Sequence, residues 1–218
     1  MIDSSMSGMA YNRFSNLENI EDRIIYYLLS PTNKTSEELK YVHNIWRILM
    51  YNDVDALNKP LPKYSDVIKL IANDNINQTD KRIFRSPHLE DGWEEQCSML
   101  KIYVDTIVPK DHLRSIVNVG VDVLCHNKIV NVKAPIDDNS TIIDMIDDIP
   151  IKIETMSRVT LLVKSVLYLL NGAEVAGVGR MQFNAERSRY NLAQYGIWNN
   201  RNFEGMKVVI STIMSGVS

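Results

Sequence analysis

Residues 157–172, SRVTLLVKSVLYLLNG, decide the fold of this chain. Leu161, Leu162, Val166, Leu169 and Leu170 recur at helical spacing and make one apolar stripe. Ser157 or Thr155 can accept from the free amides at the helix start, and Asn171-Gly172 are the residue types that end a helix in a left-handed turn. On either side the period switches to two. Upstream, Leu100, Ile102, Val104 and Thr106 alternate with Lys101, Tyr103 and Asp105 as in a half-buried strand, which Pro109 ends. Val117, Val119, Val121, Val123 and Cys125 repeat the pattern opposite Asn118 and Asp122, and the turn His126-Asn127-Lys128 into Ile129–Val132 predicts a hairpin. Downstream, GVGRMQF (177–183) predicts a second hairpin and GMKVVISTIM (205–214) a closing strand. The expected fold is α+β: residues 98–218 form a small, mostly antiparallel sheet packed on one central helix.

The front of the chain reads as helical over residues 16–80. Ser15-x-x-Glu18 and Thr35-x-x-Glu38 are capping boxes, in which side chain and backbone satisfy each other at a helix start. The first opens a helix through Ile20, Ile24, Ile25 and Leu28, halted at Ser30-Pro31 because the residue before proline avoids helical geometry. The second opens a longer helix with Leu39, Val42, Ile45, Trp46 and Leu49 on one face, and a short third one follows Ser65. Residues 1–15 are small and polar and read as an arm. Residues 81–97, broken by Pro87 and Gly92, read as a linker or docking loop.

A net charge of −3 supplies no overall attraction to nucleic acid or to an anionic membrane. The charge is unevenly placed, however. From Lys152 onward eight Lys and Arg face four Glu, leaving +4, so the first 151 residues carry −7. Cys97 and Cys125 make no disulfide framework, which suits a reduced compartment. The N-terminus has no apolar leader and no window approaches the roughly 20 apolar residues of a membrane span. A cytoplasmic site of synthesis and assembly, with no membrane, is the expectation.

Candidate chemistry is sparse. His112, Cys125 and His126 match no zinc spacing, and Cys125 continues the buried valine row. The glycines of Ala176–Arg180 precede a strand-like run rather than a helix and read as a tight turn. No serine stands in a nucleophile elbow, and the four histidines form no recognised arrangement. No catalytic residue, cofactor or metal is therefore expected. Asp137, Asp138, Asp144, Asp147 and Asp148 lack calcium-loop spacing and read as a solvated acidic face leading into a helix; facing a DNA channel, they would repel phosphates. The richest stretch is SRYNLAQYGIWNNRNF (188–203). Tyr190, Tyr195, Trp198, Arg201 and Phe203 there have the composition of a protein contact surface. The alternative is a single-stranded nucleic-acid binder that stacks bases on the tyrosines and meets phosphate with Arg180, Arg187, Arg189 and Arg201.

Residues 100–212 resemble the neck and connector proteins of tailed bacteriophages. The likeness rests on KIYVDTIVP (101–109), SIVNVGVDVLCHNKIV (115–130), the helix from Ser157-Arg158 to Asn171-Gly172, the GVGRMQF turn, and Asn202-Phe203-x-Gly205 before the last strand. As a whole the chain is most similar to a ring protein of the crass-like phages. That resemblance implies a structural virion protein, a homo-oligomeric ring (a dodecamer) in the neck. Its partners would be the portal protein and other neck or tail ring proteins, around a channel that DNA crosses without specific binding.

Overall fold

The computed structural model describes residues 19–72, 80–86, 94–111, 114–135, 142–146, 149–152, 154–191 and 202–215. Three helices lead: α1 (Ile20–Leu29), α2 (Ser36–Met50) and α3 (Tyr64–Ile68). Among the two expected capping boxes, Thr35 and Glu38 form theirs, each side chain bonding the other's backbone amide. The Ser15/Glu18 pair lies outside the described residues. α1 ends where expected, the amide of Ser30 reaching back to Tyr26 O just ahead of Pro31. The indole Nε1 of Trp46 donates to Leu29 O at 3.1 Å, so the last turn of α1 is satisfied by a buried side chain of α2.

The main sheet takes strands from distant parts of the chain. β1 (Ile83–Phe84) pairs in parallel with β2 (Ser98–Pro109), and β2 pairs antiparallel with β3 (Arg114–His126). The segment expected as a linker over 81–97 is thus partly sheet: Ile83 is buried and Arg82 O accepts from Leu100 N. The chain then leaves the sheet, and the hairpin expected across His126-Asn127-Lys128 does not form. Both edges of β3 are already occupied, and His126 Nδ1 instead caps a turn by accepting from Lys128 N. β4 (Asn131–Lys133) pairs elsewhere, with β7 (Thr155–Ser157). Between them β5 (Ile142–Ile146) and β6 (Ile149–Lys152) form a small hairpin, where the acidic stretch had been expected to lead into a helix. Ile142, Ile143, Met145 and Ile146 make a short apolar run, consistent with a strand, that the acidic residues around it obscure.

α4 (Arg158–Leu170) is the central helix, capped by Ser157 as expected. Short strands β8 (Glu174–Val175), β9 (Gly179–Arg180) and β10 (Gln182–Phe183) and the short helix α5 (Ala185–Asn191) lead to the closing strand, β11 (Phe203–Ser215). β11 runs antiparallel to β3 along its whole length, giving the order β1-β2-β3-β11-β10. The Ala176–Gly179 turn has positive φ at Gly177 and Gly179, as a tight turn requires.

One face of this sheet meets α4. Val117, Val119, Val121 and Val123 are fully buried there beside Val208 and Ile210, and Leu162, Val166 and Leu170 press on them in the same core. Each such side chain contributes about 1.5–3 kcal/mol by leaving water. α1 and α2 extend that core over the helix. Arg158, with no exposed surface, starts α4 beside the end of α2. Its guanidinium donates to Ile48 O and to Tyr51 O, at the C-terminal end of α2, and to Asp53 O in the turn that follows, which also accepts from Ala56 N.

Candidate interaction surface

Alternation sends the other half of the strand residues to the opposite face, which the sequence marks as solvent-facing. Strand register arranges them in rows. Met99 and Leu124 stand beside Gly205; next come Lys101, Asp122 and Lys207; then Tyr103, Gly120 and Val209; then Thr106, Asn118 and Ser211; and last Val108, Ile116 and Ile213. Most of this face is buried. Lys101 is 2% exposed, Asp122 3%, and Tyr103 8%. The first half of β2, Ser98–Tyr103, is therefore buried on both faces, which corrects the expectation of a half-buried strand there; only its second half keeps exposed positions.

The charged row is held by a network. Tyr103 Oη donates to the Asp122 carboxylate, 3.1 Å from each oxygen. Tyr103 reaches it by lying flat across Gly120, where a Cβ would stand 2.8 Å from the ring. Lys207 Nζ lies 2.6 Å from Asp105 Oδ1 and 5.2 Å from the Tyr103 ring centroid. Burial pulls Lys101 down to about 8 despite the nearby Asp122. Burial and the same carboxylate push Tyr103 up to about 12. Burial also acts to lower Lys207, but Asp105 and Tyr103 outweigh it and the net shift is upward.

α5 is fixed over the next two rows by polar contacts. Asn184 Oδ1 caps the helix by accepting from Arg187 N, and its Nδ2 donates to Ser211 Oγ at 2.9 Å. Ser188 Oγ accepts from Val209 N and donates to Val209 O, standing in for a strand partner at that edge. Arg187 donates to Asp105 Oδ2 and to Thr106 Oγ1 at the bulge in β2. Beyond these rows the cover ends. Val108 is 46% exposed and Ile213 51%, flanking the partly exposed Ile116, and Ile107 on the other side of β2 is 43% exposed.

The YomW family profile matches residues 43–212, well over half of the chain. The chain belongs to the YomW family. That family takes its name from a phage gene, and the protein is accordingly phage-associated. The matched region of this YomW-family chain takes in α4, the whole of β2 and β3, and the charged network between them. Neither a curated protein nor a solved structure matches it.

Of the contact residues expected from sequence, Phe203 is placed otherwise. It is 3% exposed, packed with Cys97, Met99 and Leu124, and its ring meets His126 edge-on at 5.2 Å. It is a core residue of its own chain, because its register opposite His126 turns it onto the covered first row. Tyr190 falls within α5, and Tyr195, Trp198 and Arg201 lie outside the described residues. So do Asp137, Asp138, Asp147 and Asp148, while Asp144 stands in β5 opposite Ile151. Among the described residues no three His, Cys, Asp or Glu side chains are grouped so as to hold a metal ion, and no helix is long and apolar enough to cross a membrane. Sequence reasoning missed the Lys101–Asp122–Lys207 row. Its one legible signal was opposite charge at outward positions of neighbouring strands, which becomes a pairing only once register is known.

Proposed function

We propose that this YomW-family chain is a structural, non-enzymatic virion protein. In this reading copies assemble as a ring in the phage neck, joining portal and capsid to tail around the DNA channel. The observation that carries the reading is the uncovered apolar row of Val108, Ile116 and Ile213, at the end of a three-stranded unit that is otherwise closed. An apolar row of that kind, rimmed by Asp111 and Arg114, has the character of a contact surface awaiting another protein. The phage family and the resemblance of residues 100–212 to neck connectors support the same conclusion. Arg187 is committed to Asp105 and Thr106, which weighs against the single-stranded nucleic-acid reading built on the arginines of that region.

The deciding experiment is native mass measurement of the purified protein, alone and mixed with the portal protein of the same phage. A closed homo-oligomer or a portal-bound ring is the expected result. A protein that stays monomeric at every concentration and ignores the portal overturns the proposal.

A further inference from the structure

α1, α2 and α4 each bury an apolar stripe, and α3 buries Val67. α5 is attached differently. Of its described side chains, Ala185 and Glu186 are exposed, Arg187 is half-buried and Ser188 alone is buried. Its ties to the sheet are polar: Ser188 Oγ accepts from Val209 N at 3.2 Å, and Arg187 donates to Asp105 Oδ2 at 3.2 Å and to Thr106 Oγ1. Water replaces such bonds on both sides when the surfaces part, so their net contribution to closure is modest. The charges also favour release. Asp105 is shared, with Lys207 Nζ 2.6 Å from Oδ1 while Arg187 takes Oδ2. When Arg187 leaves, the carboxylate keeps Lys207, so no buried charge is left unpaired. The Arg187 side chain is 39% exposed and already partly hydrated.

We propose that α5 is a salt-sensitive latch, which opens as a unit while the five-stranded sheet stays folded. Arg187 is its ionic catch, and Ser188 is its plug on the outer edge of β11 at Val209. Asn184 is the hinge. Its own N–H holds Val209 O at 3.0 Å and its Nδ2 holds Ser211 Oγ at 2.9 Å, both from outside the helix. A helix of seven residues is not stable by itself, so leaving the sheet and unwinding are one step. Opening frees the Val209 amide and breaks the cap in which Asn184 Oδ1 accepts from Arg187 N. The inference does not depend on the ring reading, since opening is a property of the single chain.

The test is hydrogen exchange followed by NMR on the full chain, at about 50 and 500 mM salt, between which the screening length shortens to roughly a third. The amides of residues 188–191 and of Val209 are expected to exchange together, at least about a hundredfold faster than Val119 and Val121 of β3, yet more slowly than in an unfolded chain. The higher salt should speed the α5 and Val209 amides several-fold and leave β3 unchanged, because the Arg187–Asp105 pair is partly exposed. Arg187→Gln should speed the same amides about five- to tenfold at low salt, remove the salt response and leave the melting temperature unchanged. Ser188→Ala is the second variant, with a rise of about tenfold expected at Val209. Exchange of α5 at the β3 rate shows that it opens only with the whole protein and overturns the proposal. Exchange at the unfolded rate shows that it never closes and overturns it too. A wild type without salt response, an inert Arg187→Gln, or a Val209 amide as slow as β3 likewise overturns the latch. Failure of the ring reading by mass measurement leaves these exchange results as they stand.

Discussion

Arg158 Nη1 donates to the backbone oxygen of Tyr51 at 2.8 Å, joining the first residue of α4 to the residue that closes α2, 107 positions earlier. The same guanidinium serves Ile48 O, and also Asp53 O beside its bond from Ala56 N, so one side chain ties the end of α2 and the turn after it to the start of α4. Burial lowers its pKa, yet an arginine stays charged, and α2's negative dipole end suits it. Arg158→Met should therefore cost about 3 kcal/mol or more in urea unfolding, since buried acceptors lose their donor. Arg158→Lys should recover less than half of that, because an ammonium cannot reach three diverging carbonyls as a planar fork does. A neutral Arg158→Met would show that water replaces the guanidinium.

Asp122 is the carboxylate to which the buried hydroxyl of Tyr103 donates, and it stands in register between Lys101 and Lys207. Removing one member of a buried charge network costs more than the network contributes, typically about 3–5 kcal/mol. Asp122→Ala should fall in that range by thermal unfolding. Tyr103→Phe, which removes only a hydrogen bond, should cost about 1–2 kcal/mol.

Alkaline titration should reveal the same network. Lys101 holds its proton less well folded, at about 8, than in its ordinary state, at 10.5. Between those values the unfolded chain binds more protons, so the Lys101 contribution rises with pH through that window. Tyr103 has the opposite sign: its folded value of about 12 lies above the ordinary 10, so its contribution falls as pH rises from 10 to 12. Wild type should therefore gain on Lys101→Met between pH 8 and 10, with a slope of at most about 1.4 kcal/mol per unit. Lys207 is present in both proteins and cancels. A pH-independent difference between the two would refute the shift.

Phe203 and Ile213 should separate core from contact surface on a single strand. Phe203→Ala empties a buried site and should cost about 3–5 kcal/mol of stability. Ile213→Asp, at a half-exposed position, should change monomer stability by no more than about 0.5 kcal/mol. In the ring reading it should nevertheless reduce assembly at least tenfold by analytical ultracentrifugation. Unaltered assembly would remove the apolar row from the contact surface.

Two histidines, the half-buried His43 and the buried His126, set the acid side. Burial lowers both His43 and His126, helped by Arg47 and Lys128 respectively, so each resists protonation when folded. The unfolded chain takes those protons first, from about pH 6.5 downward. Stability should fall as pH drops through that region, and His43→Gln with His126→Gln should flatten the fall. Urea midpoints at pH 7 and pH 5 provide the check.

Local pattern alone determined much of this protein. The stripe of Leu161, Leu162, Val166, Leu169 and Leu170 made α4, Thr35 with Glu38 made the start of α2, and the alternating valines made β3, because each is a relation between residues a few positions apart. The buried thiol of Cys125 followed from the same alternation. Which face each strand offers to water was another matter. Lys101, Tyr103 and Asp122 look solvent-facing by alternation yet are buried in the assembled sheet, and Phe203 looks like a contact residue until its register opposite His126 is known. Nothing in the sequence near Arg158 shows that α2 ends beside it. Burial and charge pairing depend on segments about 20 to 110 residues apart meeting in space, and only the assembled sheet and helices bring them together.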